Sequence, residues 1–145
     1  MKPWLPAAAL AVAFLPLAFV HPVRVSGHSM EPTLVSGSIR LALRGWCAGS
    51  PERGEVWVIA SPDGLVTKRV VGLPGERLEQ KDGELYLGDR RLPEPYLQQY
   101  DQGGAGPWET GGGFLVAGDN RRQSRDGRAW GPLPREAFLG RLLGP

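Results

Sequence analysis

Histidine and cysteine are nearly absent. The chain has two histidines, His21 and His28, and one cysteine, Cys47. A single cysteine forms no internal disulfide, so an exported domain made from this sequence must be stable without one. No Cys/His cluster has the spacing of a metal site, and the sequence points to no metal and no cofactor. Cys47, in Gly45-Trp46-Cys47-Ala48-Gly49, lacks a suitable nearby histidine and is expected to be a bystander. A charge excess is missing too. The 17 basic and 15 acidic side chains leave a net charge of +2 without a long basic run. That balance argues against nucleic acid as a partner.

Glycine and proline are abundant. The 21 Gly and 14 Pro make up about a quarter of the 145 residues, which favours turns and short strands over long helices. Alternating apolar residues predict strands over Val23–Val25 and Ile39–Leu43. Glu55–Ala60 and Leu65–Val71 flank Ser61-Pro62-Asp63-Gly64, a hairpin signal. Arg77–Gln80 and Glu84–Leu87 flank Lys81-Asp82-Gly83, a second hairpin, with Arg90–Leu92 as a third strand of a meander. The stretch 102–113 holds six glycines and a proline and is expected to be a mobile loop. Gly113–Ala117 is expected to be a strand, whereas Glu136–Leu143 fits a short helix or a final strand. The expectation is a mainly β domain with short hairpins.

Trp4 to Val20 is 17 residues without a charge, at the short end for a membrane-spanning helix. Pro6 is tolerated in a first turn and Pro16 should kink the helix. Leu17-Ala18-Phe19-Val20 is too bulky for a signal cleavage site, so an uncleaved anchor is favoured over a secretory signal or a core helix. Lys2 ahead of the run places the N-terminus in the cytoplasm, while Arg24 after it opposes that orientation. The expected division is an anchor over residues 1–22 and one core-bearing, extracytoplasmic domain over 23–145. The nine residues from Val20 to Ser29 extend at most about 30 Å, which keeps Ser29 close to the membrane.

Three segments carry chemistry. Ser29 lies in Ser26-Gly27-His28-Ser29-Met30-Glu31-Pro32-Thr33-Leu34. Alone, a serine before a Pro-containing turn is a turn-former. As a nucleophile it needs a base. His28 is adjacent, but in extended chain neighbouring side chains point to opposite faces. Lysine is the alternative, and Lys68 lies in Val66-Thr67-Lys68-Arg69-Val70-Val71-Gly72-Leu73-Pro74-Gly75. On a strand, Val66, Lys68 and Val70 share a face, while Arg69 points away and is expected to stay solvated. A lysine titrating at about 10.4 in water can fall to about 5–6 when buried, and its neutral amine can accept a proton. Without the serine segment, Lys68 is better explained as an edge-strand lysine that deters aggregation. The third segment, Gly118 to Gly131, contains Asp119, Asn120, Ser124, Asp126, Arg128 and Trp130. Its Asp, Asn, Gly and Ser residues alone also fit simple turn chemistry.

In this order, Gly-x-Ser-Met-x-Pro-Thr, Lys-Arg-Val-Val-Gly-Leu-Pro-Gly and Gly-Asp-Asn-Arg-x-x-Ser-x-Asp-Gly-Arg-x-Trp-Gly resemble the bacterial type I signal peptidases. The resemblance implies a mostly antiparallel β-fold, with Ser29 and Lys68 as a catalytic Ser-Lys dyad. It implies that Ser124 orients the lysine by a hydrogen bond and that Asp126, paired with Arg128, is structural support. Asp119 and Asn120 fit a tight turn beside them. Some relatives carry a serine oxyanion donor two residues before the nucleophile; Gly27 stands there in this chain. Larger relatives carry an extra β domain between the lysine and Gly-Asp-Asn segments, so the interval Gly75–Gly118 leaves at most a minimal insertion. The implied activity is cleavage of signal peptides from exported preproteins after small residues, in an Ala-x-Ala-like pattern. The implied partners are preproteins and membrane lipid, and the implied place is the cell membrane, as a single-pass protein with its catalytic domain outside. Two alternatives remain. One is a specialised maturation protease of the same family, and the other is an inactive anchored β domain that binds exported chains.

Overall fold

The computed structural model describes residues 18–101 and 103–144. Two antiparallel sheets are built from ten strands. They are β1 (Val20–Arg24), β2 (Ile39–Arg44), β3 (Val56–Ser61), β4 (Gly64–Gly72), β5 (Arg77–Lys81), β6 (Glu84–Leu87), β7 (Arg90–Arg91), β8 (Ala105–Glu109), β9 (Leu115–Ala117) and β10 (Phe138–Leu142). The larger sheet runs β1-β2-β10-β3-β4-β9 and the smaller β7-β6-β5-β8. A single-turn helix, α1 (Gly127–Trp130), and two 3-10 turns, Arg121–Gln123 and Arg135–Ala137, complete the described elements.

The turn chemistry explains both central hairpins. β3 and β4 pair from Val56↔Arg69 to Ser61↔Gly64, leaving Pro62-Asp63 as a two-residue turn. β5 and β6 close around Asp82-Gly83, with φ of 51° and 83°. Two consecutive positive φ values match the twist of a tight hairpin, and glycine adopts one at no steric cost.

Alternation along β4 divides its two faces. Val70 joins Trp57, Ile59, Phe114, Val116 and Phe138 in one buried cluster, with Val66 packed against it. Val71 joins Leu78, Leu85, Leu92, Leu115 and Ala117 in another, between the two sheets. A third cluster, Val25, Met30, Leu34, Ala42, Val56 and Leu142, lies beneath the chain that leaves β1. Each large apolar side chain buried in these clusters contributes about 1.5–3 kcal/mol. Together they fix β4 from both sides.

Several expectations are corrected. The stretch expected as a loop over 102–113 contains β8, while Gln102 lies outside the described residues. Gly106-Pro107 looks loop-like, but β8 is an edge strand, where proline is allowed. Its Trp108 packs against the cluster between the sheets and supplies the apolar burial that the composition hides. The short interval Gly75–Gly118, where at most a minimal insertion is expected, accommodates the four strands of the second sheet. Residues 136–143, open between helix and strand, become mainly β10, an interior strand between β2 and β3. β1 pairs Val20–Arg24 with β2 and so begins within the stretch 1–22 expected as the anchor, whose division from the domain remains an expectation. Residues 1–17 of the expected anchor lie outside the described residues. Among the described residues no helix is long and apolar enough to cross a membrane.

Candidate active site

The chain turns immediately after Val25. Gly27, at φ +81°, takes a backbone conformation that disfavours side chains. Met30 and Leu34 then plug into the cluster beneath β1, and the Leu34 N–H donates to the Met30 carbonyl at 2.9 Å. This anchored turn carries Ser29. Its carbonyl accepts from Asn120 N at 2.9 Å, and the His28 carbonyl accepts from Asn120 Nδ2 at 3.2 Å. The Asp119-Asn120 turn therefore stitches the serine segment to the end of β9. Among the described residues the Ser29 N–H has no backbone acceptor.

Lys68 comes from the middle of β4, opposite Trp57 on β3. It is only 3% exposed, and its Nζ lies 2.5 Å from Ser29 Oγ. Burial pushes its pKa down, and Arg128 pushes the same way. The carboxylates of Asp126 and Asp119 oppose them without reversing the direction. His28 is directed elsewhere, with Nδ1 2.9 Å from Glu31 Oε1 on the surface.

Ser124 does not hydrogen-bond Lys68. Its hydroxyl donates to Asp126 Oδ2 at 2.6 Å, because that carboxylate is a stronger acceptor only two residues away. Asp126 is the hub of the third segment. It accepts from Gly118 N at 2.9 Å and from Arg128 Nε and Nη2 at 2.9 and 3.1 Å, and it caps α1 through Arg128 N. Burial alone would raise its pKa, but the Arg128 fork, the Ser124 hydroxyl and the Gly118 N–H together outweigh burial and hold the carboxyl below its ordinary value. Gly118 sits where this hub meets the Ser29 turn. A Cβ there would lie 2.2 Å from Ser124 Oγ and 2.5 Å from the Ser29 carbonyl oxygen.

Arg69 overturns the expectation that it stays solvated. It is buried, donating from Nε and Nη2 to Asp119 at 2.8 and 2.6 Å, with its guanidinium 4.0 Å from the Tyr96 ring centroid. Tyr96 in turn donates to Glu94 at 2.8 Å, and Glu94 pairs with Arg121, whose Nε donates to the Gly118 carbonyl at 3.0 Å. Sequence reasoning missed Glu94, Tyr96 and Arg121. Pro93-Glu94-Pro95-Tyr96 has the composition of a connector, and nothing local signals a partner 27 residues away. Among the described residues no group of three His, Cys, Asp or Glu side chains is arranged for a metal ion. Cys47 Sγ donates to the Arg44 carbonyl at 3.1 Å, remote from the dyad in sequence and contacts.

The arrangement is a dry amine touching a hydroxyl on a braced turn, which is suited to nucleophilic acyl transfer. Comparison with known proteins agrees. The family described as "Signal peptidase, peptidase S26" matches residues 1–144. Signal peptidase IB of Staphylococcus aureus is 32% identical, over 92% of this chain and 83% of its own length. A probable signal peptidase I-2 of Synechocystis is 33% identical, over 82% of this chain and 59% of its own length. The crystal structure of a signal peptidase I from Enterococcus faecalis superimposes with a TM-score of 0.53 at 29% identity, covering 64% of this chain and 96% of that one. A family match across almost the whole sequence, carried equally by relatives and by fold, makes this chain a member of the type I signal peptidases.

Proposed function

We propose that the chain is a membrane-anchored serine endopeptidase that cuts signal peptides from exported preproteins with Ser29 as nucleophile and Lys68 as general base. The observation that carries this reading is the 2.5 Å contact between Lys68 Nζ and Ser29 Oγ, made by a buried lysine of lowered pKa. A neutral Lys68 accepts the hydroxyl proton as Oγ attacks the scissile carbonyl. The resulting oxyanion takes a hydrogen bond from the Ser29 N–H, for which the protein provides no competing backbone acceptor among the described residues. Collapse breaks the peptide C–N bond, and Lys68 returns the proton to the departing amine. Water, deprotonated by Lys68, then hydrolyses the acyl-serine ester and frees the signal peptide as a carboxylate. Ser124 and Asp126 brace Gly118, against which the Ser29 carbonyl rests. Specificity for small residues before the cut follows from the family resemblance.

Ser29→Ala and Lys68→Ala should each abolish cleavage of a preprotein in detergent while the domain stays folded. His28→Ala should keep most activity. An active Lys68→Ala enzyme beside a dead His28→Ala enzyme would overturn the base assignment. The anchor over the N-terminal apolar run, with the domain outside the cell, has its own test. Protease added to intact spheroplasts should digest the domain and leave a short membrane fragment. Protection until lysis would refute export.

A further inference from the structure

A polar cleft of about 460 Å³ opens beside the dyad, a size typical of ligand sites. Residues from three stretches line it: Glu31 and Pro32, just past Ser29; Gln98 and Gln99, following Tyr96; and Asp119, Asn120, Arg122 and Gln123. Neither Ser29 nor Lys68 lines it, yet it adjoins them. Glu31 is two residues from Ser29, and Asn120 holds the carbonyls of both His28 and Ser29. We propose that this cleft binds the first residues on the leaving side of the scissile bond, as an extended hydrophilic peptide. The inference rests on the protease reading above.

Chemistry selects that occupant. Four carboxamides, Gln98, Gln99, Asn120 and Gln123, line the cleft. Asn120 Nδ2 donates to the His28 carbonyl and to Gln123 Oε1, so among the described residues Gln98 and Gln99 offer both donors and an acceptor and Gln123 offers its donors. An extended peptide presents the same pair of groups at every residue. Pro32 is the sole apolar lining residue, so the cleft lacks the apolar walls that the small side chains of a signal peptide require. Charge does not select the occupant either. Both oxygens of Asp119 are taken by Arg69, and Glu31 and Arg122 offset one another.

The cleft is also braced. Gln98-Gln99 directly follow a segment fixed by the Glu94–Arg121 pair, by the Tyr96 hydroxyl on Glu94 and by the Arg69–Tyr96 stack. Asn120 and Gln123 flank that same Arg121. Two of the lining stretches are therefore held by one buried network, which lowers the ordering cost of binding a flexible peptide.

The experiment compares two substrates sharing one signal peptide and scissile bond. One continues for several hydrophilic residues, and the other ends at the cut in a small reporter amine. The full-length wild-type enzyme in detergent should show kcat/KM roughly tenfold higher on the extended substrate, the size expected from a few net hydrogen bonds. Gln98→Ala/Gln99→Ala/Gln123→Ala changes exposed side chains outside the catalytic contacts and should erase that advantage with short-substrate kinetics unchanged. The proposal is overturned if the wild type treats both substrates alike, which needs no variant. It is also overturned if the folded triple variant keeps the advantage or loses equally on both substrates. Failure of the wild type to cut either substrate would instead refute the protease reading.

Discussion

Lys68 owes its chemistry to its position on β4. Its face was legible from Val66 and Val70, whereas its neighbours from distant sequence were not. Burial and Arg128 lower its pKa, while Asp126 and Asp119 raise it. In the proposed mechanism catalysis needs the neutral amine, so kcat/KM should climb as pH rises through a limb set below the ordinary lysine value of 10.5. Asp126 supplies the largest opposing charge. Asp126→Asn removes that charge and leaves Arg128 unneutralised, and both changes destabilise the ammonium. The ascending limb should therefore move to lower pH, even as the maximum rate falls. A limb that moves upward in a folded Asp126→Asn variant would show that these charges do not set the titration. The folded enzyme should also lose stability in acid. Asp126 has a depressed pKa, so its contribution is full above the unfolded value of 3.8 and is lost as pH falls through the lower folded value. Arg69 shows how neighbour logic fails. Pointing away from Lys68 meant solvent in an isolated strand, but the opposite face of β4 is covered by the second sheet and by Asp119.

At the scale of elements, Gly118 is where the third segment meets the serine turn. An added methyl would strike Ser124 Oγ at 2.2 Å and the Ser29 carbonyl oxygen at 2.5 Å, so one or both must shift. Overpacking of this kind costs about 1–3 kcal/mol, which the domain can survive. Displacing a nucleophile by an ångström can cost about a hundredfold in rate. Gly118→Ala should accordingly fold, with Tm modestly lowered, and lose about two orders of magnitude in kcat. Near-normal turnover would mean that the turn relaxes without moving Ser29. Elements with strong local chemistry were legible: β3–β4 and β5–β6 declare themselves through Pro62-Asp63 and Asp82-Gly83. β8 was not, because Gly106-Pro107 suppresses the strand signal and its pairing with β5 is irregular between Leu78 and Gln80. The three candidate segments were legible by their motifs, but the Ser124 hydroxyl donates to Asp126 rather than bonding Lys68. Competition between two acceptors is settled only by three-dimensional placement.

Across the whole molecule, a buried ion pair ties the segment that follows the second sheet's β7 to the turn beside Ser29, alongside the Trp108 Nε1 bond to the Arg128 carbonyl. The Arg121 side chain is fully buried and Glu94 nearly so. They meet between the segment after β7 and the turn after β9, with Nη1 of Arg121 3.3 Å from Glu94 Oε2. Removing one partner strands a buried charge, so Glu94→Ala should destabilise the protein by about 3–5 kcal/mol. It also deprives the Tyr96 hydroxyl of its acceptor. Replacing both charges is different, because an apolar pair of similar volume avoids the desolvation penalty of two ions. Glu94→Leu/Arg121→Met should therefore recover most of the denaturation midpoint that Glu94→Ala loses. It should not recover activity, since Arg121 Nε also holds the Gly118 carbonyl and, with it, the ground under Ser29. Urea unfolding and kcat/KM measured on the same three proteins separate the two roles. Midpoint restored with turnover still low would make the pair a positioning device that links the second sheet to catalysis. Turnover restored along with the midpoint would make it a stabilising contact only, and Gly118 would then be held by Asp126 alone.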